Sequence, residues 1–350
     1  MLKVGVIGLG SISDFHIKPY ANNQEAKLIA FCDMNQSRLE NTGKVYNVSN
    51  LYTSYPELLA DKDVDAVSIC TWNATHAEIA IAALEAGKHV LVEKPLCTTV
   101  DEAKRVEEAA KKSGKVLQVG FVRRYAKNTK LVKSFLDNGD FGELYYAKAS
   151  CIRRLGNPGG WFSDKDRSGG GPLMDLGVHM IDICWYLMGR PKPVSVSGHT
   201  YSKLGNRANI QNLSFYKASD FDASLNSVED LATALIRFEN GASLYVDVSF
   251  TLHAVKDEVA VRLYGDKGGL ELEPQLAMTT EKHDTIINIT PQIDHLNFQF
   301  EEAFQSEIDH FVSSCLGKTT TLSPVEDGLE VMKMLCGAYE SASLGKEVLL

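Results

Sequence analysis

The sequence predicts an α/β protein of two domains: a doubly wound parallel sheet, then a second α/β domain whose consecutive strands are antiparallel neighbours. Three observations carry this. Over the first 120 residues short apolar runs alternate with helical patterns. From residue 194 to about 289 strands dominate, joined by tight turns. The chain has 350 residues, and at roughly 150 residues per domain that length fits two.

The apolar runs of the first part are 3–7, 28–32, 64–70, 89–93 and 116–119. Valine and isoleucine are frequent in them and polar alternation is weak, as in strands buried on both faces. Two intervening helices have clear ends. HAEIAIAALEA, 76–86, stops at Gly87, a C′ glycine. Thr99-Val100-Asp101-Glu102 reads as a capping box opening a helix with acids early, Lys111 and Lys112 late, and Gly114 at its end.

After Gly120 the rhythm changes. The pattern predicts a helix at 127–138, a long strand at 144–153, a Gly-, Pro- and Trp-rich loop at 155–170, and a helix through about Met188. Strands follow at 194–198, 230–238, 243–250, 258–264 and 270–273. Glu239-Asn240-Gly241 and Gly265-Asp266-Lys267-Gly268 are turn signals between consecutive strands. Residues 201–227 are polar and unusually long for a loop, which points to a functional insertion. Two helices near 298–315 and 325–342 finish the chain.

Composition narrows the function classes. At 44% hydrophobic and 23% charged, the chain is an ordinary globular protein, neither disordered nor collagen-like. Its net charge of -9 argues against a nucleic-acid backbone as partner. Seven cysteines stand singly, at 32, 70, 97, 151, 184, 315 and 336, with no C-x-x-C. Free thiols in a reducing compartment are the simplest reading. No apolar run approaches the ~18 residues of a membrane span. No signal peptide is expected, because an ordered motif begins within the first ten residues. A cytoplasmic protein without a membrane partner is expected.

That motif is Gly8-Leu9-Gly10-Ser11-Ile12-Ser13, a G-x-G-x-x-S between the first strand and a helix. Gly8 permits a tight turn, and Gly10 lets backbone approach a pyrophosphate. The N–H groups of the helix opening at Ser11 and Ile12 then meet its charge. Asp33 ends the second apolar run, 20 residues after Ser13. A carboxylate there accepts from adenosine ribose hydroxyls, or it merely starts the next turn. Both features in register point to a dinucleotide. Asp33 would repel a 2′-phosphate, and Met34 offers that phosphate no charge, so NAD is expected rather than NADP. Arg38, a turn further on, is placed to stack on adenine.

Two further strand ends lie on the same rim. Thr71, Asn73 and His76 would contact the cofactor or cap the next helix. Glu93-Lys94-Pro95 ends the strand after that; on its own, Lys94 reads as a solvated strand-end lysine. In GGGPLMDLGVH, 169–179, Asp175 and His179 are four apart and share one helix face. A carboxylate beside histidine can tune it as a general base; a structural pair has the same spacing. No further ligand pattern supports a metal, and none is expected. Trp161 would stack on a sugar face or fix its own loop to the core. Arg124 and Arg154 would donate to substrate hydroxyls.

VGVIGLGSIS, TWNATHAEIAIAALEAGKHVLVEKPL and GGGPLMDLGVHMID together resemble the Gfo/Idh/MocA family, which includes glucose–fructose oxidoreductase and inositol dehydrogenase. The C-terminal SPVEDGLEVMKMLCGAYESASLGKEV is also similar to the family's ending. The resemblance implies an N-terminal Rossmann domain and a C-terminal domain built on a large, mostly antiparallel sheet. It implies NAD or NADP as cofactor and a sugar, polyol or related carbonyl as substrate. By the same resemblance Lys94 reaches substrate and nicotinamide, the Lys94–Pro95 bond is cis, and Asp175 and His179 face the cleft. Arg123 or Arg124 matches an arginine of many relatives. Trp72 and Val122 depart from the proline and asparagine common there. The open face of the second sheet is expected to form a homo-oligomer, a dimer or tetramer.

The resulting expectation is an NAD-dependent dehydrogenase with a Rossmann domain at 1–122 and a substrate and oligomerisation domain at 123–350. Hydride leaves a secondary alcohol of a sugar, polyol or sugar derivative for NAD. His179 takes the hydroxyl proton, Asp175 orients the imidazole, and Lys94 stabilises the developing alkoxide. Glu93 and Lys94 also line the cofactor side. Three alternatives share the fold: a keto-sugar reductase, a glycoside-cleaving enzyme using NAD transiently, and a non-catalytic NAD-binding regulator.

Overall fold

The structure is a computed structural model that describes every residue of the chain except 219 and 223. It divides into two compact units. In the first, six strands form one parallel sheet: β1 (Leu2–Ile7), β2 (Ala26–Cys32), β3 (Asn50–Tyr52), β4 (Ala66–Ile69), β5 (His89–Glu93) and β6 (Leu117–Gly120). Their order is β3-β2-β1-β4-β5-β6. Val4, Val6, Val67, Val90 and Val92 are fully buried, the fate predicted for strands without polar alternation. Helices α1 (Asp14–Asn22), α2 (Gln36–Tyr46), α3 (Tyr55–Ala60), α4 (Asn73–Glu85) and α5 (Val100–Ser113) alternate with the strands. α5 opens on the predicted capping box and ends at Gly114 with φ +63°. The strand order reverses between β1 and β4, so the crevice beyond their carboxyl ends is the ligand position of such sheets.

The second unit holds α6 (Lys127–Asp137), β7 (Leu144–Ile152), the single-turn α7 (Lys165–Ser168) and α8 (Val178–Leu187). Seven strands follow: β8 (Pro193–Tyr201), β9 (Leu231–Phe238), β10 (Ser243–Ser249), β11 (Glu258–Gly265), β12 (Gly268–Glu273), β13 (Ala277–Lys282) and β14 (Thr285–Ile289). With β15 (Val348–Leu349) they make a nine-stranded sheet, ordered β14-β13-β12-β11-β7-β10-β9-β8-β15. β7 and β10 pair in parallel; the other pairings are antiparallel. The apolar α8 lies across β7, β10 and β11, against the face that buries Ala147, Ala149, Leu244 and Val246. The opposite face carries tyrosines, with Tyr146 stacked on Tyr264 at 5.7 Å. Between β8 and β9 the described residues form no helix or strand.

Two helices remain, α9 (Phe300–Cys315) and α10 (Val325–Leu344). By compactness, residues 123–350 are not one continuous unit. The first unit comprises Met1–Tyr125 and Phe300–Met332, the second Ala126–Gln299 and Lys333–Leu350. The cause is the apolar face of α9. Ile308, Phe311 and Val312 share a core with Leu2, Val4 and Tyr20, and Phe15 packs on Phe300 and Phe304. All seven cysteines are free thiols, five of them buried. No helix among the described residues is long and apolar enough to cross a membrane.

Candidate active site

The turn after β1 is built for close approach. Gly8 has φ +86°, and a Cβ there would lie 2.7 Å from the Cys70 carbonyl oxygen. Its N–H donates to the Cys32 carbonyl. Gly10 is different: a Cβ there would meet nothing within 4 Å. Ser13, at the third position of the motif, is buried and donates its hydroxyl to the Gly10 carbonyl at 2.7 Å. Ser11–Ser13 form one 3₁₀ turn before α1, with Ser11 exposed and Ile12 half-buried.

Asp33 follows β2 and closes on this turn. Its Oδ2 accepts the Leu9 N–H at 2.7 Å and its Oδ1 the Asn35 N–H at 2.7 Å. Arg38 reaches Oδ2 at 3.4 Å. Each carboxylate oxygen accepts more than one hydrogen bond, so capacity remains for a hydroxyl. Open space at Gly10, a helix start beside it and a carboxylate tied to the same turn fit a dinucleotide.

Beyond β4, Thr71 accepts the Thr75 hydroxyl at 2.8 Å. The N-cap of α4 is Trp72, with no side-chain cap of its own, so the helix starts earlier than predicted. Asn73 is buried. His76 is 1% exposed; Nδ1 lies 2.8 Å from the Pro95 carbonyl and Nε2 3.1 Å from that of Thr71. It braces two strand ends, and burial holds its pKa below the usual histidine value.

At the end of β5 the Lys94–Pro95 bond is cis and Lys94 is half-buried. Glu93 is buried; its Oε1 lies 2.8 Å from His16 Nε2 and its Oε2 accepts the Lys94 N–H at 3.2 Å. His16, on α1, escaped the sequence reading. The partner is 77 residues away, and the only local signal is a histidine three residues past the glycine motif.

In the second unit, Gly169 ends α7 with φ +78°. Leu173–Gly177 form a π-helical turn that runs into α8. The predicted single helix is therefore widened where it carries Asp175, while His179 lies in the first turn of α8. Both are half-buried. Such π turns are frequent at functional sites. Trp161 is half-buried and stacked on Phe162, with ring centroids 3.9 Å apart. Arg154 is exposed, its N–H on Asp257.

Arg124 differs from expectation. It is 0% exposed within the first unit, paired with Asp327 and donating to the Leu322 carbonyl at 2.9 Å. Its Nη1 is thus held by two acceptors of its own unit. Arg123 and Trp72 are half-buried and Val122 is buried. Among the described residues, no three His, Cys, Asp or Glu side chains are grouped to hold a metal ion.

Comparison with known proteins adds the context of relatives. Residues 2–121 match the GFO_IDH_MocA model, described as an oxidoreductase family with an NAD-binding Rossmann fold. Residues 133–350 match the same family's C-terminal alpha/beta domain. The chain is 32% identical over 352 residues to D-glucoside 3-dehydrogenase of Escherichia coli (strain K12), covering 99% of this chain and 97% of that one. It is 30% identical over 335 residues to scyllo-inositol 2-dehydrogenase (NAD(+)) of Bacillus subtilis (strain 168), with 93% and 90% covered. A solved levoglucosan dehydrogenase in complex with NADH and levoglucosan shares the fold, with a TM-score of 0.86 at 23% identity over 99% of both chains.

Proposed function

The chain belongs to the Gfo/Idh/MocA oxidoreductase family, and from that premise we propose that it is an NAD-dependent dehydrogenase of a sugar, polyol or sugar derivative. The observation that carries this reading is similarity over nearly the full length to a glucoside and an inositol dehydrogenase. The chain also keeps the dinucleotide cradle and the E-K-P and D-x-G-x-H residues.

Gly8 and Gly10 let the turn approach the diphosphate, the amides of Ser11 and Ile12 meet its charge, and Asp33 accepts from the ribose. Arg38, already on Asp33, borders the adenine side. Thr71, Asn73 and Glu93 line the same rim, and His76 holds it in place. Bound NAD supplies the acceptor for the hydrogen and electron pair that leave the carbinol carbon. Lys94 donates to the reacting oxygen and stabilises its developing negative charge. His179 takes the hydroxyl proton; histidine's ordinary pKa of about 6.5 suits that task at neutral pH. Asp175 orients the imidazole or holds a neighbouring hydroxyl. Trp161 offers its ring to the apolar C–H face of the sugar, and Arg154 donates to a hydroxyl. The enzyme works in the cytoplasm as a homo-oligomer.

The test begins with purified protein, NAD and a panel of inositols and glucosides, read as NADH formed. On the substrate found, Lys94→Met and His179→Ala are each expected to lower kcat about 100-fold or more. NADH affinity should stay near wild type. Near wild-type turnover by both variants would overturn the assignment.

A further inference from the structure

The three consecutive glycines before the Asp175 turn have no part in the chemistry above, and the structure shows what they adjoin. Glu229, 7% exposed and two residues before β9, lies against them. Its Oε2 accepts the Gly171 N–H at 2.9 Å and its Oε1 the Leu173 N–H at 3.2 Å. Pro172, between them, has no N–H to offer. The Tyr339 hydroxyl, from α10, donates to the same Oε1 at 2.7 Å. The N–H groups of Gly171 and Leu173 are thus held by one carboxylate, which a phenol braces. A helix start leaves such groups without intrahelical partners, and here a side chain from a distant part of the chain takes two of them.

The packing explains the glycines. A Cβ on Gly170 would lie 2.1 Å from the Tyr339 hydroxyl oxygen, and one on Gly171 would lie 2.6 Å from the Glu229 carbonyl oxygen. Neither position tolerates a side chain while the clamp is closed. Three donors converge on Glu229, so it serves as a carboxylate. Its charge sits at the positive end of the turn and of α8. Burial and that carboxylate push the Tyr339 phenol well above its usual pKa, which keeps it a donor.

We propose that Glu229, seconded by Tyr339, is the positioning residue that sets the π-helical turn carrying Asp175 and leading to His179. This rests on the catalytic reading of Asp175 and His179. The clamp bonds the first residues of the turn, and Asp175 closes the next bond, from its own N–H to the Gly171 carbonyl at 3.0 Å. Loosening the clamp therefore moves the carboxylate and imidazole without touching either.

The test uses full-length Glu229→Gln and Tyr339→Phe in the same turnover assay, with kcat, KM, the kcat–pH profile, NADH titration, thermal unfolding and amide hydrogen exchange. Glu229→Gln puts an NH₂ where one amide needs an acceptor. It is expected to lower kcat about 30-fold and move the pH midpoint of kcat by half a unit or more. NADH affinity should stay within twofold, and exchange at 173–177 should quicken. Tyr339→Phe keeps the carboxylate and should lower kcat about fivefold with a smaller pH shift. If Glu229→Gln does not fold, Tyr339→Phe decides by the same readings. A folded Glu229→Gln or Tyr339→Phe protein with wild-type kcat and pH profile overturns the proposal, however much its melting temperature falls. Failure of the catalytic reading shows elsewhere: His179→Ala would then keep its rate, while the exchange at 173–177 would still report the clamp.

Discussion

At Gly10 a side chain would meet nothing within 4 Å; at Gly170 and Gly171 it would collide with Tyr339 and Glu229. Both glycine-rich turns lead into a helix, and each is held by a carboxylate from outside the turn. Asp33 takes the Leu9 amide in the first, and Glu229 takes the Gly171 and Leu173 amides in the second. The first turn keeps room for something that is not protein. The second fills that room with its own chain. Glycine in a motif thus has two meanings, which only the surroundings separate: space for a ligand, or contact without a gap.

The largest effect should come from the filled turn. Gly171→Ala forces a methyl against a backbone carbonyl that cannot swing away, and overpacking of this kind costs roughly 2–3 kcal/mol. Thermal unfolding should show a clear drop in Tm. An unchanged Tm would mean that the two turns do not differ as described. Gly10→Ala comes next and should behave in the opposite way. Stability should stay within about 0.5 kcal/mol, while NADH binding weakens about tenfold, or ~1.4 kcal/mol. A fluorescence titration beside a melting curve reads both. Loss of stability with intact binding would reverse the roles of the two turns. The smallest effect concerns the carboxylates. Wild type should prefer NAD over NADP about tenfold, and Asp33→Asn should narrow that ratio, read by calorimetry. A ratio unmoved by the substitution would make Asp33, like Glu229, a holder of backbone alone.

What was legible in the sequence follows from distance along the chain. Gly8, Gly10 and Asp33 sit within one βαβ unit, so their spacing carries their geometry. The capping box of α5 is local in the same way. Glu229 meets Gly171 across 58 residues and Tyr339 across 110, and no spacing rule connects them. His16 and Glu93 are separated likewise. The π turn escaped because one added residue per turn hardly alters apolar spacing over five positions. β13 and β14 were not singled out, because much of each strand is exposed and polar residues interrupt the pattern. Arg124 looked available because an arginine beside a motif carries no sign of burial. Its partner, Asp327, lies 203 residues on. Membership of α9 in the first unit was hidden too: an amphipathic stripe says that a face is covered, not by which core.

That last feature has a consequence for the order of synthesis. Domains made on the ribosome generally fold from the N-terminus as they emerge. Here the N-terminal unit needs Ile308, Phe311 and Val312 against Leu2, Val4 and Tyr20. Its closing piece, Phe300–Met332, follows almost the whole of the other unit. The cofactor unit is therefore completed only after most of the other unit has been made. Until then the apolar patch on β1 and α1 waits uncovered, and a nascent chain stalled before residue 300 would carry the glycine turn without a complete unit beneath it.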